Sequence, residues 1–62
     1  MKPTTIHLDK MRAVKLETVG GQLKIAFLAL GIEALGQHIT PESADELAVA
    51  LVRHATAAKA AA

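Results

Sequence analysis

The sequence predicts a small α+β domain in which an antiparallel sheet is followed by one C-terminal helix. Three observations lead to this fold class. The glycine pair Gly20-Gly21 separates two runs in which apolar and polar residues alternate. A stretch with helical periodicity and a capping signal begins at Thr40. The whole chain has only 62 residues, and a chain of this length forms one domain at most, so residues 1–62 are predicted to fold as a single unit.

The Gly20-Gly21 pair fits the two-residue turn of a β-hairpin with strands at about 12–19 and 22–30. Two glycines suit a type I′ turn, which requires a positive φ at both central residues. Folding the chain about this turn places Glu17 directly opposite Lys24, and oppositely charged cross-strand pairs stabilise a sheet. A helix over the same residues would hold both glycines in its interior at about 1 kcal/mol each. We therefore predict two strands here.

The predicted hairpin has one apolar face and one mixed face, because successive side chains of a strand point to opposite sides. We expect the C-terminal helix to pack on the apolar face. That face collects Val14, Leu16, Thr18, Leu23, Ile25 and Phe27.

Two further short strands are predicted on either side of the hairpin. The alternation in residues 4–8 indicates a first strand that a turn joins to the hairpin. Residues 31–36, GIEALG, contain two glycines and are predicted to form a loop or one helical turn. Residues 37–40 would then form a short strand or an extended lead-in to the helix.

Residues 41–57 carry the signals of a capped helix. Thr40 suits the N-cap position, and Pro41 suits the first helical position. Residues 57–62 are rich in alanine and are expected to fray. The apolar residues of the helix recur at helical spacing. They form one stripe: Ala44, Leu47, Ala48, Leu51, Val52 and Ala55.

The sequence shows no constellation of residues that would carry chemistry. The chain has no cysteine, so disulfides and thiolate metal sites are excluded. The three histidines, His7, His38 and His54, do not lie at helical spacing from one another and are predicted to be solvated. Ser43 lies where a capping residue is common. We therefore predict no catalytic residue, no metal site and no cofactor, and we expect a protein that is not an enzyme and has no small-molecule substrate.

Composition also limits the classes of partner. The net charge is +1 and Phe27 is the single aromatic residue, whereas nucleic-acid binding uses a clustered basic face or aromatic stacking platforms. Nucleic acid is therefore not the expected partner. The longest apolar run is far shorter than the roughly 20 residues of a membrane span, and the N-terminus lacks the pattern of a secretion signal. These features predict a cytoplasmic location without membrane contact.

The N-terminal segment KPTTIHLDK, residues 2–10, resembles the opening strand of ribbon-helix-helix repressors. The resemblance implies a DNA-binding transcriptional regulator, in which two such strands pair and enter the major groove. It also implies a helix directly after the strand, where the present chain carries the predicted hairpin. DNA binding of this kind is the alternative function.

The second strand of the hairpin becomes apolar on both sides toward its end. Its outer face reads Lys24, Ala26, Leu28 and Leu30, and one helix can cover only one face of the sheet. Either the loop 31–36 folds back over Leu28 and Leu30, or another chain covers them. A chain of this size is also marginally stable by itself. We therefore predict a non-catalytic protein-interaction module that acts as a small adaptor, inhibitor or regulator. It would form a homodimer or bind a larger protein, with Ala26, Leu28 and Leu30 in the contact.

Overall fold

A computed structural model describes residues 1–61 and contains a four-stranded antiparallel sheet followed by one helix, which confirms the predicted fold class. The strands lie across the sheet in chain order. The last predicted tail residue, Ala62, lies outside the described residues. The elements are β1 (Thr4–His7), β2 (Arg12–Val19), β3 (Gln22–Ala29), β4 (Ile32–Ile39) and α1 (Pro41–Ala61).

The central hairpin of β2 and β3 has the register that the alternation of residues predicts. Glu17 lies opposite Lys24, and Val14 lies opposite Phe27. A shift by one residue would move every side chain to the other face of the sheet. The apolar and mixed faces of the hairpin are therefore as predicted.

The turn between β2 and β3 differs from the predicted type. Gly20 has a φ of 63°, whereas Gly21 is not among the residues with positive φ. A positive φ at the first central residue alone is characteristic of a type II′ turn, so the type I′ prediction is wrong here. The type I′ pattern occurs instead in the next hairpin, where Leu30 and Gly31 have φ values of 54° and 78°.

Residues 31–36 form most of a fourth strand, so the prediction of a loop or helical turn is wrong. Leu30 and Gly31 make a tight turn, and β4 then pairs with β3 along its length. Phe27 lies opposite Leu35 and Leu28 lies opposite Glu33, which leaves Ala34 without a partner. This β-bulge inserts one extra residue into β4. The regular alternation that identifies a strand in sequence is therefore broken.

Side-chain and backbone hydrogen bonds close the connection between β1 and β2. The Asp9 carboxylate accepts hydrogen bonds from the backbone N–H groups of Met11 and Arg12, each at 2.8 Å. The backbone N–H of Leu30 donates to the Met11 carbonyl at 2.7 Å. The β1–β2 connection and the β3–β4 turn are thus joined at one end of the sheet.

The N-terminus of α1 is capped as predicted. The Thr40 hydroxyl oxygen accepts a hydrogen bond from the Ser43 backbone N–H at 3.2 Å, and the Thr40 carbonyl accepts one from the Ala44 N–H at 3.0 Å. Pro41 occupies the first helical position, where its missing N–H leaves no donor unpaired. The helix runs to Ala61 and is therefore longer than the predicted 41–57.

We expect Thr40→Ala to lower the free energy of unfolding by roughly 0.5–2 kcal/mol, because the Ser43 N–H loses its acceptor. Amide hydrogen exchange should become faster at Ser43 and Ala44. Thr56→Ala is a matched control, since the Thr56 hydroxyl bonds only to the Val52 carbonyl within the helix. Unchanged protection at Ser43 in Thr40→Ala would contradict the capping role.

The helix does not pack along the sheet, and that expectation is wrong. Ala44 is half-buried, and every residue in 45–61 is exposed. The backbone of α1 comes near the sheet at β3. The helix therefore touches the sheet around its first turn, and its remaining length has no covering layer.

Candidate interaction surfaces

The first surface is the apolar sheet face, which spans all four strands. Its middle carries no charged residue. The register places Ile6 beside Val14, Val14 beside Phe27 and Phe27 beside Leu35. Ile6, Phe27 and Leu35 are 50%, 43% and 61% exposed. The apolar sheet face consists of Ile6, Val14, Leu16, Leu23, Ile25, Phe27, Ile32, Leu35 and Ile39, with the uncharged polar residues Thr18 and Gln37 among them.

The second surface is the helix stripe, defined by the six stripe residues predicted from sequence. Leu47, Leu51 and Val52 are 42%, 61% and 66% exposed. An amphipathic helix usually buries such a stripe against another element. In this chain the stripe faces solvent beyond Ala44, so it is available to another layer.

The size and shape of the chain show how much surface lacks a covering layer. The accessible area is 5174 Å², whereas a compact monomer of 6.5 kDa would expose about 3,800 Å². The radius of gyration is 13.0 Å, against about 10.5 Å for a compact domain of this length. The chain thus carries an excess of roughly 1,400 Å². A standard protein interface buries about 800 Å² of each partner.

The other face of the sheet is polar and is largely covered by its own side chains. Lys24 forms an ion pair with Glu33 at 3.2 Å, although Glu17 lies opposite Lys24 on β2. A Cβ atom at Gly36 would come within 2.7 Å of a Glu33 carboxylate oxygen. Glycine at this position therefore leaves room for the Glu33 side chain to reach Lys24. A pair this exposed contributes at most about 1 kcal/mol.

The sequence-predicted contact residues lie on this polar face and at its end. Ala26 is only 2% exposed, because its short side chain lies among longer neighbours such as Lys15 and Lys24. Leu28 is half-buried, and Leu30 is 74% exposed. Ala26 thus forms the floor of the face, while Leu30 exposes the largest part of its side chain to solvent.

Leu28 and Leu30 line a shallow depression together with residues of the β1–β2 connection. We call this region the tip surface and define it by Met11, Ala13, Leu28 and Leu30. Met11 is 62% exposed. The depression is open and apolar in its middle, and His7, Lys10 and Arg12 also line it.

Leu30 is unusual in both conformation and exposure. Its φ of 54° lies in the left-handed region, which costs a residue with a side chain roughly 1–2 kcal/mol. Asn, Asp or Gly is the usual choice at such a turn position. Because Leu30 is also largely exposed, packing within the chain gives no compensation for this strain.

Phe27, Leu35 and Leu51 are surface residues that the sequence-based prediction of contacts omits. The sequence pattern places Phe27 on a face that the helix is expected to cover, and it places Leu35 in a predicted loop. One signal in the sequence could have identified them. A single residue, Thr40, connects the extended segment that ends at Ile39 to the helix that begins at Pro41.

The residues that the structure describes contain neither a metal-binding cluster nor a membrane-spanning helix. In residues 1–61, no group of three His, Asp or Glu side chains lies close enough together to hold a metal ion. Over the part of the chain that the structure describes, no helix is both long and apolar enough to cross a membrane. The exposed apolar surfaces are therefore the strongest functional features.

Comparison of the chain with models of known protein families, with curated proteins and with solved structures gave no match in any of the three. Residues 12–29 form the β2–β3 hairpin, where a ribbon-helix-helix repressor would have a helix. The choice between functions therefore depends on the surfaces of this chain itself.

Proposed function

We propose that the protein is a non-catalytic interaction module that self-associates and acts as a small adaptor or regulator. The observation that carries this proposal is the excess of roughly 1,400 Å² of accessible surface over a compact monomer. Exposed apolar patches above several hundred Å² mark interaction sites in soluble proteins. The occupant is a second copy of the chain, because a helix stripe and an apolar sheet face both lack a covering layer.

The tip surface gives the module a second contact, with a larger protein partner. It lies at the end of the sheet and includes Leu28 and Leu30, the two leucines that the sequence pattern assigns to a contact with another chain. Leu30 has a positive φ and is 74% exposed, and strained residues concentrate at functional sites. A module with one surface for its own copy and another for a target has the arrangement of an adaptor.

Sedimentation velocity over a wide range of concentration tests self-association directly. We expect the wild-type protein to sediment as a dimer at micromolar concentration and to dissociate on dilution. A protein that remains monomeric at millimolar concentration would contradict the self-association.

Leu30→Asn should raise stability and weaken partner binding in the same variant. Asparagine tolerates the left-handed region, so the free energy of unfolding should rise by up to about 1 kcal/mol. Thermal unfolding measures this effect. Proteins that immobilised wild type retains from an extract of the organism of origin should be lost with Leu30→Asn, while the dimer is unchanged.

Val19→Asn provides a matched control for Leu30→Asn. Val19 is 46% exposed and lies beside the Gly20-Gly21 turn, at the other end of the hairpin. Its replacement should leave the retained proteins unchanged. A fall in the melting temperature of Leu30→Asn would show that Leu30 packs within its own chain, which would contradict the assignment.

A further inference from the structure

We propose that the helix stripe of a second copy covers the apolar sheet face of this chain, and that the reciprocal contact forms a two-fold symmetric dimer. This inference rests on the self-association proposed above. The inference specifies which two surfaces are in contact in the dimer. In this arrangement α1 is exchanged between the two copies.

Each chain has one apolar sheet face, whose residues are half-buried or exposed, and one helix stripe, which is exposed beyond Ala44. Neither surface is fully covered within the chain. Pairing helix with helix alone would leave the sheet face exposed, and pairing sheet with sheet would leave the stripe exposed. Two contacts between stripe and sheet face, related by a two-fold axis, cover all four surfaces. A two-fold interface has this reciprocity, because a residue pair on one side recurs with the copies exchanged.

The start of α1 is held in a fixed direction relative to the sheet. Only Thr40 separates β4 from α1, and Pro41 restricts Thr40 to extended backbone. The two hydrogen bonds that Thr40 accepts, at 3.2 and 3.0 Å, hold the first turn in place. The helix therefore leaves the sheet after Ala44, and its stripe can reach only a sheet other than its own.

The two surfaces match in length and in polarity. The exposed part of α1, residues 45–61, is about 25 Å long, and an eight-residue strand is about 27 Å long. The helix stripe contains only alanine, leucine and valine, and the middle of the apolar sheet face has no charge. No charged group would therefore be buried without a partner, which is the most costly feature an interface can have.

The excess area agrees with a dimer of this kind. A loss of roughly 1,400 Å² from each chain gives a total within the range of permanent homodimers, whose interfaces resemble a domain core cut in half. The projecting helix points to the same conclusion. An amphipathic helix usually buries its apolar stripe against another element, and the helix stripe has no such element within its own chain beyond Ala44.

Cross-linking between two single-cysteine variants tests the inference, because the natural chain has no cysteine. Leu35→Cys places a thiol on the apolar sheet face, and Leu51→Cys places one in the helix stripe. One variant carries a mass tag. The two are unfolded, mixed, refolded together and treated with a short bifunctional maleimide, and the products are separated by mass. Sedimentation of each variant first establishes that it is still a dimer.

We expect the product that joins Leu35→Cys to Leu51→Cys to exceed both products of like variants by at least tenfold. Val49→Cys, in place of Leu51→Cys, should give less mixed product, since Val49 lies two residues from Leu51 and does not share its face of α1. If one cysteine prevents dimer formation, Phe27→Cys and Val52→Cys replace Leu35→Cys and Leu51→Cys.

The remaining outcomes separate this inference from the proposed function. A dimer that yields mainly the Leu51→Cys homodimeric product would show pairing of helix with helix, which would overturn the inference and leave self-association intact. A dimer with mainly the Leu35→Cys homodimeric product would overturn it in favour of pairing between sheets. Wild-type protein that stays monomeric would overturn both.

Discussion

Leu51→Glu should convert the dimer to monomers while α1 remains helical. Leu51 lies in the middle of the helix stripe and is 61% exposed in the single chain. A glutamate is therefore solvated in the monomer, whereas in the dimer its carboxylate would be buried without a partner. Glutamate is also a good helix former, so the substitution should not disturb α1 locally.

The size of this effect follows from the symmetry of the dimer. Each substitution occurs twice in the interface, and each buried leucine contributes about 1.5–3 kcal/mol. The dissociation constant should thus rise at least about a hundredfold, since 1.4 kcal/mol corresponds to a factor of ten. Sedimentation equilibrium measures the constant, and far-UV circular dichroism at high protein concentration reports the helix.

Val49→Glu is the matched control for Leu51→Glu. Val49 is 50% exposed, and residues two positions apart on a helix do not share a face. The control introduces the same charge into the same helix outside the stripe, and the dimer should remain. Equal weakening by both variants would mean that charge on the helix, and not its place in the stripe, controls association.

The sequence determines the central hairpin well because its signal is local. Alternation on both sides of Gly20-Gly21 fixes which residues of β2 and β3 lie opposite each other, and Glu17 and Lys24 agree with it. The same reasoning fails for β4. The unpaired Ala34 shifts the alternation by one residue, and Gly36 resembles a strand breaker although it provides space for the Glu33 side chain.

The helix shows a second limit of local signals. Thr40 and Pro41 mark where α1 begins, and the apolar spacing identifies its stripe. Neither signal predicts which surface the helix stripe contacts, because the packing of the stripe depends on the direction in which the helix leaves β4. The assumption that Leu51 packs on its own sheet follows from the usual layering of small domains. This assumption is wrong beyond Ala44, because no other element of the chain packs against the rest of α1.

The predicted contact residues also show what residue type alone can indicate. Leu30 was selected because it is apolar and lies at the end of an outer face. Its positive φ is a second, independent reason to assign Leu30 to a contact. A pattern of apolar residues does not reveal this backbone conformation. Ala26 shared the same pattern, but the long side chains beside it cover its methyl group.

Gly20→Val should be strongly destabilising, with a loss of roughly 1–3 kcal/mol. The φ of Gly20 is 63°, and a β-branched residue is a severe outlier in that region. The turn joins the two central strands of the sheet, so its distortion affects the pairing of β2 with β3 directly. For a domain of this size the melting temperature should fall by about 4–8 °C for each kcal/mol.

Gly21→Val separates backbone strain from crowding at the same turn. A Cβ atom would meet nothing within 4 Å at either glycine, so the two sites offer the same free space. They differ in backbone conformation, because Gly20 alone of the two has a positive φ. Valine at Gly21 should therefore cost much less than valine at Gly20 when both variants are compared by thermal unfolding at equal protein concentration. Equal losses at the two positions would point to a type I′ turn with positive φ at both glycines, and no loss at Gly20 would contradict the left-handed conformation on which the hairpin depends.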